Sequence, residues 1–493
     1  MVVAGRDRLV IILLIVVQIG LLVFFAFNRL TDGDEGFYLS AGQAAGEGKM
    51  VYRDFFYPQM PYLPYLFALF SGHGMATLFQ TRVASVMAAI LTTLLFYAAL
   101  RRTVSDNGVI AILLTMYVFS GLVVSWHSVA KTFAWSDLFL MASFYSLIKY
   151  LAGPKLFLAL LAGALVALAV NIRLVLVPVA AVFLLSVIAG TGRRRIGAVL
   201  VGMIGGLIVS GPAIYLFVTE PKRFLFDNLG FHLMRDPGLT IPLSALQKLE
   251  VIGKMLVNPQ ILLLFILALA AFIAWRKSQI NLRWWTLVAS PAGLAGVTAL
   301  ILTLIYLTPS PVHQHYFVQA VPFLLLASPG GVGILRGSNS RWLRFMSGRR
   351  LIDWGLVVYI LAFLPYLVIF VGAVRPSDKD LSLANMKQIC AHINTTYTSG
   401  PILSEQPIVP VLANRPFWPG TEFLGFEYPL PLSRAEKEFY RLATSEELQV
   451  AIEGGGPECL VVVDHPDPPL AAAFDVAYEP DRAFGRMIVY RRK

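Results

Sequence analysis

Long apolar runs separated by short polar intervals dominate the first three quarters of the chain. A helix crossing the roughly 30 Å hydrocarbon core of a bilayer needs about 20 apolar residues at a rise of about 1.5 Å each. Runs of this kind predict spans over 9–28, 78–99, 108–124, 133–150, 156–170, 173–190, 196–218, 258–275, 284–308, 316–333 and 352–374. With the N-terminus in the cytoplasm, the inner loops carry Arg6 and Arg8, Arg101 and Arg102, Lys149 and Lys155, Arg193 to Arg195, Arg276, Lys277 and Arg283, then Arg336, Arg341, Arg344, Arg349 and Arg350. Those loops are nearly free of acid, as the positive-inside rule expects. The same rule divides the apolar stretch 156–189 into two crossings, because Lys155 and Arg193 both belong inside. About eleven crossings then leave the C-terminus outside, with two longer outer loops at 29–77 and 219–257.

Beyond position 374 the apolar pattern gives way to an ordinary globular one. A helical stretch around 385–396, the apolar "PILS", a charged helix near 433–452 and the strand-like "CLVVVD" predict a small α/β domain of about 115 residues. The expected fold is therefore an all-α polytopic membrane protein over 1–374 with an extracytoplasmic α/β domain over 375–493. No internal repeat relates the halves of the membrane region.

Composition adds two exclusions. Apolar residues make up 57% of the 493 and charged residues 14%, with a mean hydropathy of +0.69, whereas soluble domains carry about 25% charge. A soluble fold has no way to hide that surface. The net charge of +11 is accounted for by the inner loops, so nucleic acid is not an expected partner. Arg6 and Arg8 before an apolar run resemble a signal peptide, but no small-residue cleavage site follows, which reads as an uncleaved first helix. Cys390 and Cys459 both fall in the C-terminal segment, where one disulfide or two free thiols are both open.

The chemistry gathers at the predicted outer face. The first outer loop reads "DGDEGFYLSAGQAAGEGKMVYRDFFYPQMPYLPYLFALF", carboxylates followed by aromatic and proline-rich sequence suited to lying along the membrane interface. Asp34 has two readings: cap of a helix beginning at Glu35, or, together with Glu35, a boundary carboxylate whose basicity desolvation raises, as suits a general base. Asp32 and Asp34 have the spacing of a two-carboxylate motif for a divalent cation, the one cofactor the sequence suggests. Arg82 and Arg173 fall at the outer N-termini of the second and sixth spans. A cation there opposes the helix dipole and asks for a nearby anion, phosphate among them, unless the side chain snorkels to the interface. Asp137, at the outer end of the fourth span, suits that dipole as a cap beside Ser136 or as a site residue. His127 and Lys131 share a face if their helix extends that far. His313, His315 and Tyr316 open the tenth span, His315 with Tyr316 reading as a donor pair for a phosphate or sugar.

The motifs "DEGFY", "YRDFFYPQMPYLPYLF", "QTRVASVMAAILTTLLFYAALRR", "WSDLFLMASFYSL", "NIRLVLVPVA" and "HQHYFVQAVPFLLL", in this order along the spans, resemble the GT-C superfamily of membrane glycosyltransferases. The resemblance is to the bacterial relatives of protein O-mannosyltransferases and of the lipid A aminoarabinose transferase, with one departure at "PQMP", where relatives often show a His-Pro-Pro type sequence. It implies a GT-C-like fold in a prokaryotic plasma membrane and transfer of a sugar from a polyprenyl-phosphate donor. The acceptor is a hydroxyl, or an amine, of a lipid, glycan or protein at the outer face. By the "DEGFY" match Asp34 is the catalytic carboxylate, acting as base in an inverting single displacement, with Glu35 or Asp54 orienting the acceptor and Arg53 as a further candidate site residue. Arg173, Arg82, Lys131, His315 and Tyr316 are the candidates for the leaving phosphate. Two other classes stand beside this one. A transporter or flippase places its ionisable groups near the midplane, and a non-catalytic assembly subunit needs no Asp34.

Overall fold

The computed structural model describes residues 2–190, 195–234, 241–278, 284–309, 311–337, 348–372, 379–397, 400–422, 430–454, 456–463 and 476–493. The apolar runs lie in helices. Helix α1 (Val2–Asn28) is followed by the short helix α2 (Gly33–Gly46), and a second long helix, Met75–Thr103, packs against α1. Among the described residues five helices are long and apolar enough to cross a membrane, or seven when each of two bent pairs is taken as one span. The helices Leu156–Val170 and Pro291–Tyr306 are shorter, the first about 22 Å long at 1.5 Å per residue. The basic residues Arg193, Arg194, Arg283, Arg341 and Arg344, and the expected domain boundary at 374, lie outside the described residues.

Two features of the membrane region bear on the site. Leu156–Val170 packs on Arg195–Thr219 through Gly163, Gly202, Gly205 and Gly206, small residues that let the two backbones touch. The expected span 108–124 is two helices, Asn107–Val118 and Gly121–His127, meeting at 52°. A break at membrane depth frees backbone polar groups that must be satisfied internally. Gln260 does this: its Oε1 accepts from Gly121 N (2.8 Å) and its Nε2 donates to Phe119 O (2.7 Å) and Tyr359 O (2.9 Å). Gly121 lies so close to the Tyr366 ring that a Cβ would overlap it.

The C-terminal segment forms a four-stranded sheet in the order β1-β2-β4-β3, with β1 Ile402–Ser404, β2 Cys459–Val463, β3 Tyr478–Phe484 and β4 Met487–Arg492. β1 runs parallel to β2 and the other pairs are antiparallel, the β3–β4 turn using Gly485 at φ +68°. The charged helix expected over 433–452 is two helices, Arg434–Phe439 and Ser445–Glu453. Thr444 opens a second capping box with Glu447 just after Ser433 has opened one with Glu436, and Arg441 turns the chain between them at φ +63°. Cys390 and Cys459 are free and buried.

The aromatic part of the first outer loop departs from expectation. Instead of lying along the interface, Phe37, Tyr52, Phe56 and Tyr57 are buried in one core with Met386, Ile389 and Ile408 of the C-terminal segment. The helix Ile408–Ala413 lies directly on α2, where a Cβ on Gly36 would overlap the Ile408 backbone. Thr31 N and Oγ1 both donate to Leu381 O at 2.8 Å. The C-terminal segment thus clamps the acidic loop from above.

Candidate active site

The loop leaving α1 brings three carboxylates into three different settings. Asp32, with extended backbone (φ −98°, ψ 140°), is the N-cap of α2: its carboxylate accepts from Asp34 N at 3.1 Å, and Glu35 Oε2 accepts from Asp32 N at 3.0 Å. This closes a capping box. The cap is therefore Asp32 and not Asp34, since the helix begins two residues earlier than the sequence reading placed it.

Glu35 is fully buried. Its Oε1 accepts from Arg82 Nε and Ala130 N, both at 2.8 Å, and its Oε2 from Arg82 NH2 at 2.6 Å. Burial raises its pKa, but the Arg82 charge and the surrounding donors outweigh burial and hold it below the usual carboxylate range. For Glu35 the expected rise in basicity is reversed, and with no path to solvent it is not placed to act as a base. Arg82 likewise changes role. Besides Glu35 it donates from NH1 to Ala26 O (3.0 Å) and Arg29 O (3.1 Å) and from NH2 to Leu30 O (3.1 Å), so all five of its N–H groups are used. No donor is left for a phosphate.

Asp34 is the open carboxylate, its side chain 42% exposed against 17% for Asp32. Lys131 Nζ lies 2.7 Å from both Asp32 Oδ1 and Asp34 Oδ2. Lys131 reaches them because the helix Gly121–His127 stops short and Lys131 is extended (φ −134°, ψ 176°) before the helix Thr132–Ala152. His127 and Lys131 therefore share no helical face. Burial pulls the Lys131 ammonium down, yet the two carboxylates more than compensate and hold its pKa above the usual value. Burial raises Asp32, but Lys131 and then Arg29 hold it well below the ordinary range. The cation between the two aspartates is the Lys131 ammonium, which occupies the position a bridging divalent ion would take. Among the described residues no group of three His, Cys, Asp or Glu converges to hold a metal ion.

Aromatic rings wall this cluster. Lys131 Nζ stands 4.8 Å from the Trp126 ring, His315 stacks on that ring at 4.0 Å, and His313 stacks on His315 at 5.2 Å. Tyr316 meets His315 edge-on at 4.8 Å. Arg173 donates to Thr132 Oγ1 at 2.7 Å and lies 4.4 Å over Phe133, which contacts both Trp126 and His315; its Nε is buried without a hydrogen-bond partner among the described residues. Tyr38, the tyrosine of "DEGFY", is buried near Asp34, and burial followed by the Asp34 charge pushes its phenol up to about 12. Arg173, Lys131, His315 and Tyr316 are thus brought together around Asp34.

Asp137 and the Arg53–Asp54 pair lie elsewhere. Asp137 is buried, 2.7 Å from His127 Nε2 and 2.5 Å from Gln319 Nε2, in a network continued by Ser136 and Tyr306. Arg53 and Asp54 pair with each other on the surface at 2.8 Å, and Asp54 accepts from Met50 N at 2.7 Å. Arg29 was not among the expected site residues. It lies 4.5 Å over Trp126 and 4.4 Å over Phe370, with NH2 3.5 Å from Asp32 Oδ2. Its signal was available: in the topology expected from the sequence, a basic residue flanking the outer end of the first span runs against the positive-inside bias.

The fold, a mostly helical membrane bundle with a small C-terminal sheet and its charged cluster at one end, is shared by solved structures. Two crystal structures of ArnT from Cupriavidus metallidurans share it over 99% of this chain and 98% of theirs. The structure bound to undecaprenyl phosphate superposes with a TM-score of 0.63 at 14% identity, and the apo structure with 0.66 at 13%. No protein-family model matches the chain, and no curated protein matches it by sequence.

Proposed function

We propose that this protein is a membrane glycosyltransferase that moves one sugar from a polyprenyl-phosphate donor to a hydroxyl or amine acceptor at the outer face of a prokaryotic plasma membrane. Its chain crosses that membrane about eleven times, with the N-terminus inside and the region after 374 outside. The observation that carries the reading is the pairing of one open carboxylate, Asp34, with a buried cation 2.7 Å away, in a cluster whose other cations and aromatic rings suit a phosphate. The fold adds support, since its likeness to ArnT, crystallised with undecaprenyl phosphate, runs the whole chain.

Asp34 takes the acceptor proton as the acceptor oxygen or nitrogen attacks the anomeric carbon. The bond from that carbon to the phosphate oxygen breaks in the same step, its electron pair leaving with the polyprenyl phosphate, and configuration inverts. A phosphate leaves without being protonated, so it needs cations and donors in place of an acid, and Lys131, Arg173 and His315 with Tyr316 are set to provide them. Lys131 also keeps Asp34 oriented before the acceptor arrives. Asp32 and Glu35 hold the helix start on which Asp34 sits.

The test is transfer by purified protein, supplied with labelled polyprenyl-phosphate sugars and with lipid, glycan and protein acceptors. Wild type should transfer label and Asp34→Asn should not. Robust transfer by the variant would defeat the assignment. Flipping of the donor without transfer would return the protein to the transporter class.

A further inference from the structure

Arg29 is a buried cation with donors to spare. Its Nε and NH1 have no hydrogen-bond partner among the described residues, although the side chain is only 2% exposed. Its one ion contact, NH2 to Asp32 Oδ2 at 3.5 Å, is long, and Lys131 holds the same carboxylate at 2.7 Å. The Trp126 and Phe370 rings, 4.5 and 4.4 Å from the guanidinium carbon, fix where it lies. Trp126 is also the ring under Lys131 and against His315, so Arg29 belongs to the same side-chain cluster as Lys131 and Asp34. Buried N–H groups are almost always paired, and a guanidinium with two unpaired nitrogens on the same ring as the Lys131 ammonium points to an anion with several oxygens.

Resting on the glycosyltransferase reading above, we propose that Arg29 is a leaving-group ligand whose unused N–H groups bond the phosphate of the polyprenyl carrier as it departs. The donor phosphate is a diester with one negative charge. When the bond from its oxygen to the anomeric carbon breaks, the electron pair stays on the phosphate, the acceptor proton goes to Asp34, and the polyprenyl phosphate becomes a monoester carrying up to two charges near neutral pH. A cation whose donors are unspent before the step gains most when that second charge appears, which is stabilisation of the transition state in preference to the bound donor. Asp32 can release Arg29 at little cost, because Lys131 remains with it.

The experiment uses full-length wild type, Arg29→Lys and Arg29→Met in detergent. Affinity for polyprenyl phosphate, the matching polyprenol and inorganic phosphate is read from ligand-induced shifts in melting temperature. Wild type should prefer polyprenyl phosphate over polyprenol. Both variants should bind polyprenyl phosphate about 10- to 100-fold more weakly, the range a lost charge-assisted hydrogen bond predicts, with polyprenol binding unchanged as the control for folding. Lysine keeps the charge without the fork and should retain the larger part. In turnover, kcat should fall more than the donor KM rises.

If wild type binds the phosphate no better than the alcohol, the glycosyltransferase reading itself fails. If wild type discriminates and both variants discriminate equally well, only the role of Arg29 fails. Inorganic phosphate matching the lipid phosphate in wild type, and losing affinity in the variants, would assign Arg29 to a free anion and overturn the leaving-group role.

Discussion

Glu35 and Arg82, neighbours in the fold but 47 positions apart in the chain, form a fully buried pair in which Arg82 spends every N–H on Glu35 and on three carbonyls at the end of α1. The pair ties α1, α2 and the helix Met75–Thr103 together beneath Asp34. Removing one partner leaves the other charged and buried, which costs about 3–5 kcal/mol. Glu35→Gln should therefore lower the melting temperature steeply, and an unchanged melting curve would refute the role. The pH dependence has a definite sign. Because the folded-state pKa of Glu35 is depressed, the stabilisation is fully present above its ordinary value of 4.5 and is lost only as pH falls through the lower folded value. Melting in detergent should show no loss from this pair between pH 7 and 5, and loss in more acid buffer.

Asp34→Asn should behave in the opposite way. The side chain is partly exposed and its one ion pair is to Lys131, which keeps Asp32. Stability should change by under about 1 kcal/mol, while loss of a general base should lower transfer by about 100-fold or more. The contrast between adjacent carboxylates, one structural and one catalytic, is measured by running melting and transfer on the same two preparations.

How far the sequence could foresee this arrangement differs from residue to residue. Run lengths and loop charge revealed the membrane bundle because both depend on local composition. The dipole argument rightly demanded an anion near Arg82, but that anion is the protein's own Glu35, and a partner 47 positions away is set by tertiary packing that no local pattern contains. The same holds for Lys131 and Asp32, 99 positions apart. Two signals were readable and passed over. Thr444 with Glu447 announces the second capping box that splits the charged helix, and Arg29, in the topology expected from the sequence, is a cation at the outer end of the first span.

Asp227 supplies a test of opposite sign to Glu35. Burial raises its carboxyl well above the ordinary value of 3.8, only partly offset by the bond from Tyr57 N at 2.9 Å and by Arg223. The folded protein therefore holds a proton that the unfolded chain releases, and this residue makes stability decline as pH rises from about 4 toward the folded value. Asp227→Asn removes that titration while preserving shape. The variant should match wild type at about pH 4 and melt progressively higher than it as pH rises toward 8. A variant that loses stability equally at both pH values would show that Asp227 is held charged.

Gln260 connects the break in the membrane helices to the site. Among the described residues it alone satisfies Gly121 N and contributes donors to Phe119 O and Tyr359 O, and the short helix it holds, Gly121–His127, carries Trp126, the ring on which Lys131, Arg29 and His315 converge. Leucine at this position is close in size and apolar, so Gln260→Leu keeps the packing and strands three backbone groups where no water reaches them. At about 1–3 kcal/mol for each buried group left unpaired, with relaxation recovering part, the loss should come to about 2–4 kcal/mol. Transfer should fall as well, through displacement of Trp126, with the donor KM rising because the ring under the phosphate-binding cations has moved. A variant that melts like wild type would mean the 52° bend is held by the Gly121–Tyr366 contact alone.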